Sequence, residues 1–385
     1  MAEDWQQGGF GLYLHWPFCE AKCPYCDFNS HVARQIDQTR WCAAYLSEID
    51  RYAALAPDRV LNTIFFGGGT PSLMAPETVA AILDRIRQHW PMANDPEITL
   101  EANPGSVEAG RFRAFAQAGI TRVSMGIQAL NDRDLRRLGR IHTVSEARQA
   151  FDIARENFTR VSFDLIYARQ DQSLSDWASE LRDALSMAAD HLSLYQLTIE
   201  SGTAFGDRYA AGRLRGLPED DTAAEMYEVT QDICEAAGLP AYEVSNHARP
   251  GAESRHNLIY WRYGDYIGIG PGAHGRLTRD GRKCATEALR PPGKWLGSVE
   301  HRQASETCDL LSGPDQAVEY LLMGLRITDG IDPARVATLG GKPLDEGAIK
   351  HLKSIGMIET HGHRLRATRA GRAVLNAVIR DLLPD

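Results

Sequence analysis

Short apolar, β-rich runs alternate with helix-like segments along the first half of the chain, and this alternation restricts the fold more than any other feature. The runs are Gly11 to His15, Val60 to Phe66, Glu97 to Glu101, Arg122 to Met125, Arg160 to Ile166 and His191 to Leu197. Between them lie Arg40 to Ala54, Pro76 to His89, Ser106 to Ala118, Val144 to Glu156 and Leu174 to Ala188, several opened by a Ser, Pro or Asp start signal. Strands alternating with helices predict an α/β fold with a parallel sheet of βαβ units and right-handed crossovers. Six such units suit an open doubly wound sheet or an incomplete barrel, and periodicity does not choose between them. Gly67 to Thr70, Glu101, Gln128, Asp164 and Gln196 fall at or just past the carboxyl ends of these strands, the face on which such sheets build sites.

Beyond Gly238 the pattern changes to shorter expected strands, Tyr242 to Ser245, Leu258 to Trp261 and Tyr266 to Ile269, with the Gly-rich turn Gly268 to Gly272. They read as a β-rich extension packed on the sheet. From about Ser312 the order is helix, short helix, helix, a hairpin of Gly356 to Ile358 and Arg364 to Ala367 around His361-Gly362-His363, and a helix to Leu382, a small winged-helix-like domain. The expected division is therefore 1–238, 239–311 and 312–385. The first ten residues carry Glu3 and Asp4 and do not read as a secretory signal; no apolar run approaches the roughly 20 residues of a membrane span, so a cytoplasmic protein is expected. A net charge of -9 argues against nucleic acid as a partner, in spite of Lys350, Lys353, Arg364, Arg366, Arg369 and Arg372 near the C-terminus.

Three of the seven cysteines, Cys19, Cys23 and Cys26, stand in a C-x3-C-x2-C pattern directly after the first expected strand. Three thiolates on one compact loop can each take an iron of a cubane cluster and leave the fourth iron open to a ligand. Zinc is the competing metal, for which His15 or His31 would complete the set. Cys42, Cys234, Cys284 and Cys308 are scattered and read as small buried apolar residues.

The cysteine loop, Tyr13-Leu14-His15-Trp16-Pro17-Phe18-Cys19, Phe65 to Ser72, Glu101-Ala102-Asn103-Pro104, Ser124 to Gln128, Asp164-Leu165-Ile166-Tyr167 and Gly268 to Gly275 together resemble the oxygen-independent coproporphyrinogen III oxidase-like family of radical S-adenosylmethionine (SAM) proteins. The resemblance covers nearly the whole chain. It implies a partial (β/α)6 barrel with a 4Fe-4S cluster on Cys19, Cys23 and Cys26 and SAM at the carboxyl ends of the strands. By the same resemblance Tyr13, Phe28, Gly68, Gly69, Thr70, Glu101, Gln128, Arg140 and Asp164 would contact the cofactor. Carboxylates suit its sulfonium and amino group, Arg140 its carboxylate, and the glycine amides its methionine moiety.

Three features separate the chain from the oxidases of that family. Asp27 and Phe28 follow the third cysteine where the oxidases have a further Cys, fewer residues precede the loop, and Tyr167-Ala168-Arg169-Gln170 lacks the usual Gly and Pro. His256-Asn257-Leu258-Ile259-Tyr260-Trp261 matches the H-N-x-x-Y-W motif of the family's haem chaperones. The resemblance therefore implies haem carriage to an acceptor haemoprotein, a role compatible with membrane-associated partners. His256 would offer an axial imidazole, and Tyr260 and Trp261 a flat surface to the porphyrin. Radical oxidation of coproporphyrinogen III is the alternative.

Overall fold

A computed structural model describes residues 3–107, 109–187 and 189–383. Glu108 and Ala188, which fall within two of the expected helices, lie outside those residues. Seven strands run parallel: β1 (Phe10–Trp16), β2 (Leu61–Gly68), β3 (Met92–Ala102), β4 (Arg122–Gln128), β5 (Arg160–Tyr167) and β6 (His191–Gln196) follow one another across the sheet, and a later strand, Asp265–Ile269, pairs parallel to the outer side of β1. β1 is central: Phe10, Leu12, Leu14 and Trp16 on one face are all at 1% exposure or less, and on the other face Gly11 and His15 are buried and Tyr13 half-buried, as a strand covered on both sides requires.

The crossover helices are α1 (Gln38–Leu55), α2 (Pro76–His89), α3 (Ala109–Ala118), α4 (Val144–Asn157) and α5 (Leu174–Ser186). Their starts are written locally. Asp37 caps α1, and Thr143 with Glu146 and Ser173 with Asp176 form reciprocal capping boxes on α4 and α5. Each helix turns an apolar stripe to the sheet, as with Trp177, Leu181 and Ala184 of α5.

The region after residue 238 departs from its sequence reading. The segment Tyr242 to Ser245 makes only isolated bridges, and the strand there is β7 (Asn246–Ala248), antiparallel to β6. The run Leu258 to Trp261 is not a strand but the end of a helix, α7 (Arg255–Trp261), which follows α6 (Asp220–Ala236); Ser254 caps it by accepting from the Asn257 amide. Only His256 and Ile259 of α7 are buried, three residues apart, the spacing of a helical face that alternation over four residues could not reveal. β8 (Asp265–Ile269) does not pack on the sheet but is its seventh parallel strand; β9 (His274–Arg279), β10 (Arg282–Ala288) and β11 (Glu306–Leu310) extend it antiparallel. Cys284 and Cys308, expected as separate apolar residues, form a disulfide between β10 and β11, their Cα atoms 6.0 Å apart on neighbouring strands.

The last part comprises α9 (Gly313–Gly324), reached through α8 (Pro292–Glu300), then α10 (Pro333–Gly340), α11 (Glu346–Ser354), the hairpin β12 (Ile358–His361) and β13 (Arg364–Ala367), and α12 (Leu375–Leu382). It has its own core around Tyr320, Leu321, Ile331, Leu352 and Val378. Arg335 to Asp4, Arg276 to Glu319 and Arg369 to Glu228, each 2.7 Å, tie it to the larger sheet domain. Among the described residues no helix is long and apolar enough to cross a membrane.

Candidate cluster and cofactor site

The carboxyl ends of β1 to β5 converge on one cavity, which the loop after β1 closes from above. That loop is held by its own backbone: His31 N–H donates to Pro17 O (2.7 Å), Ala33 N–H to Cys19 O (3.3 Å) and Cys26 N–H to Cys23 O (3.1 Å). Cys19 is buried, Cys23 and Cys26 are half-buried, and all three thiols are free and line the cavity. Each has a polar neighbour of its own. Thr70 Oγ1 donates to Cys19 Sγ (3.5 Å), Arg140 Nη1 donates to Cys23 Sγ (3.3 Å), and Ser30 Oγ stands 3.7 Å from Cys26 Sγ. Burial pushes the Cys19 thiol above its ordinary value, and the Thr70 hydrogen bond opposes that shift.

The donor set fits a cluster better than a zinc ion. Among the described residues no three Cys, His, Asp or Glu side chains converge on a single ion, whereas a cubane spreads three thiolates over three irons. His15 has both ring nitrogens engaged, and His31 does not line the cysteine cavity. His15 Nε2 donates to Asn29 O (2.9 Å) while its Nδ1 accepts from Tyr13 OH (2.9 Å), and His31 Nε2 is paired with Asn29 Oδ1 at 3.1 Å.

The glycine run at the end of β2 brings the cysteine loop close to the sheet. Gly69 N–H donates to Trp16 O (2.7 Å), Thr70 N–H to Phe18 O (2.8 Å) and Gly68 N–H to Glu101 Oε2 (3.1 Å), so these amides are already committed. A Cβ on Gly69 would lie 2.6 Å from Phe18 O, and Gly68 has φ +112°. The glycines let β2 and the cysteine loop approach each other backbone to backbone.

Opposite the thiols, Glu101 and Asp164 enter the cavity from β3 and β5. Burial, then the Asp164 charge, raises the Glu101 carboxyl to about 8, against the pull of the Gly68 amide; burial raises Asp164 to about 6, against hydrogen bonds from Ser193 and Ser124. These acids are poised for a cation. Gln128 ends β4 at φ +76°, where the pairing with β5 slips by one residue, a bulge that turns its side chain into the cavity. Arg140 follows the short helix Asp132–Arg137 and donates through Nη2 to Asn103 Oδ1 (2.6 Å) and Gly126 O (2.7 Å). Among the described residues its buried Nε has no partner, a donor left over for an anionic oxygen.

Of the residues singled out in the sequence, Cys19, Cys23, Cys26, Phe28, Gly68, Gly69, Thr70, Glu101, Gln128, Arg140 and Asp164 line this one cavity. Phe28 is 61% exposed at its rim. Tyr13 instead lines an adjoining cavity of about 510 Å³, walled by Tyr260, Trp261 and Tyr266, with His15, Asn29, His274, Arg290 and Met323 around it; Phe28, Gly68 and Glu101 border both. His256 lines neither cavity. It is 1% exposed, stacked on Phe65 of β2, with Nδ1 bonded to Thr63 Oγ1 (2.7 Å) and Nε2 to Tyr260 OH (2.5 Å), and burial lowers its pKa to about 3. Sequence reasoning missed Asn103, Ser124 and Lys22 in the first cavity and Arg290 and Met323 in the second. Asn103 and Ser124 lie inside motifs already quoted; Met323 sits on a helix of the small domain and had no local signal.

Residues 13–184 match the radical SAM superfamily, and residues 311–374 match the HemN C-terminal domain. The Escherichia coli (strain K12) protein named heme chaperone HemW is 43% identical over 77% of this chain and 79% of its own length. The chain belongs to the HemW family of radical SAM proteins. A second member of the same radical SAM kinship, the mitochondrial radical S-adenosyl methionine domain-containing protein 1 of Mus musculus, is 38% identical over 97% of this chain and 87% of its own. Among solved structures, coproporphyrinogen III oxidase (HemN) of Escherichia coli superposes with TM-score 0.82 over 97% of this chain and 90% of that one, at 21% identity, which shows the shared fold. For a HemW-family chain the sheet is thus the radical SAM partial barrel, and the helical unit after residue 311 is the HemN C-terminal domain.

Proposed function

We propose that this chain binds haem and hands it to an acceptor haemoprotein, on a scaffold that carries a 4Fe-4S cluster and SAM. The reading rests on the 43% identity with a protein named heme chaperone, and the aromatic cavity beside the cysteine cavity supports it. Cys19, Cys23 and Cys26 would hold the cluster through three of its irons. Arg140 would take the methionine carboxylate on its unpaired Nε, and Glu101 and Asp164 would face the sulfonium and amino group, with Gln128 and Thr70 beside them. When bound and reduced, such a cluster supplies the single electron that breaks the cofactor's carbon–sulfur bond. The chain's own share is to orient the cofactor and to set the charge around it. The flat apolar macrocycle of haem suits the walls formed by Tyr13, Tyr260, Trp261 and Tyr266.

The test is to reconstitute the cluster anaerobically in the full chain, titrate with haemin and then mix with an apo-haemoprotein. A stoichiometric Soret band that passes to the acceptor is expected. In parallel, the protein receives SAM, a reductant and coproporphyrinogen III. Protoporphyrinogen formation without haemin binding would replace the carrier reading by the oxidase one.

A further inference from the structure

Resting on the haem-carrying reading above, we infer that haem iron is ligated in the aromatic cavity by the imidazole of His274, with Arg290 receiving a propionate, and that His256 is a scaffold residue. Haem makes three separate demands on a site: flat apolar walls, a nitrogen or sulfur donor free to reach the iron, and a cation for its carboxylates. One cavity of about 510 Å³ meets all three. Its volume lies within the range of roughly 300–1,000 Å³ common to small-molecule sites.

Among the histidines the choice follows by elimination. Two histidines line the cavity, His15 and His274. Both nitrogens of His15 are committed, one to Asn29 O and one to Tyr13 OH. His256 is walled off behind Tyr260, and to reach an iron it would have to give up its bonds to Thr63 and Tyr260 and leave a fully buried position against Phe65. Two good hydrogen bonds and a buried ring oppose that motion. His274 opens β9 with an exposed side chain, and among the described residues its ring has no hydrogen-bond partner. Met323 contributes a thioether to the same lining from α9, a second donor of a type that haem iron accepts.

The frame around His274 is fixed. Asn29 Nδ2 donates to Pro271 O (2.8 Å) and Arg290 O (2.9 Å), so one side chain of the cysteine loop pins the turn before His274 and the backbone of Arg290. The Arg290 side chain is exposed and makes no ion pair among the described residues. Because Met323 belongs to the small C-terminal domain, that domain closes the cavity, and haem would be held between it and the barrel mouth.

The full chain is titrated with haemin and, separately, with metal-free protoporphyrin IX, for the wild type, His274→Ala and His256→Gln. The expected result is that His274→Ala loses the imidazole-ligated Soret and low-spin EPR signature and weakens haemin binding by about tenfold or more. Added imidazole should restore the spectrum, while protoporphyrin IX binding, which needs no axial ligand, stays at the wild-type level and shows that the cavity is intact. His256→Gln, which keeps hydrogen-bonding capacity, should retain the haem spectrum. An unchanged spectrum and affinity in His274→Ala overturns the ligand assignment and leaves haem carriage standing; a wild type that binds no haemin overturns both.

Discussion

Replacing Glu101 by glutamine should change how the stability of the cluster-free protein depends on pH. The folded protein holds Glu101 protonated up to about 8, against an ordinary value of 4.5, because the cavity removes the carboxyl from water and Asp164 stands beside it. The unfolded chain releases that proton near its ordinary value. Folding stability must therefore fall as pH rises from about 4.5 and level off above the folded value of about 8. With each pKa unit worth about 1.4 kcal/mol, the loss between pH 5 and pH 8 is about 3 kcal/mol. The glutamine side chain cannot ionise, and its amide oxygen can still accept from the Gly68 N–H. Glu101→Gln should thus match the wild type closely near pH 5 and exceed it by about 3 kcal/mol at pH 8. Urea unfolding of the metal-free protein across that window measures the difference. Parallel profiles for variant and wild type would refute the reasoning, as would wild-type stability that climbs over the same range. A cationic sulfonium favours the ionised carboxylates, so SAM affinity should rise through this window in the wild type and become flatter in the variant.

Arg140→Gln removes the guanidinium that lines the cavity and should weaken SAM binding by about tenfold to a hundredfold, read by isothermal titration with cluster content checked by iron analysis. Asp265 is fully buried between Arg59 (2.7 Å) and Lys283 (3.2 Å), so Asp265→Ala strands two buried cations and should cost about 3–5 kcal/mol in denaturant unfolding; a loss below about 1 kcal/mol would count against this network as a support of β8.

The parallel βαβ order was legible because each crossover repeats one local grammar, an apolar strand such as β5 followed by a capped helix such as α5 behind Ser173 and Asp176, whereas its closure into a partial barrel was implied only by the family resemblance. The cavity residues were legible because parallel strands bring their carboxyl-terminal halves to the same rim, which puts Glu101, Gln128 and Asp164 together, while Gln196 at the end of β6 lines a different cavity. Other parts were not. The Cys284–Cys308 bond depends on the register of β10 against β11, which neither strand encodes alone. The parallel docking of β8 beside β1 joins residues about 255 positions apart, and Phe10 opposite Asp265 leaves no local trace.

In the H-N-x-x-Y-W segment the helix decides what surrounds the histidine. On a helix, residues four apart stand one above the other, so His256 and Tyr260 must meet. In α7 they do, ring centroids 4.8 Å apart with the Tyr260 hydroxyl on Nε2, while Nδ1 faces β2 and the His256 amide donates to the buried Glu97 (3.0 Å). Glu97 also lies 3.4 Å from both Arg122 and Arg160, on β4 and β5. The motif therefore ties α7 to β2 and β3 directly and, through Glu97, to β4 and β5, and leaves Tyr260 and Trp261, not His256, facing the aromatic cavity. The histidine sets where those rings stand. On this helix the four-residue spacing locks the His256 ring in place, and the proposed ligand, His274, is the cavity histidine that the fold leaves unbonded among the described residues.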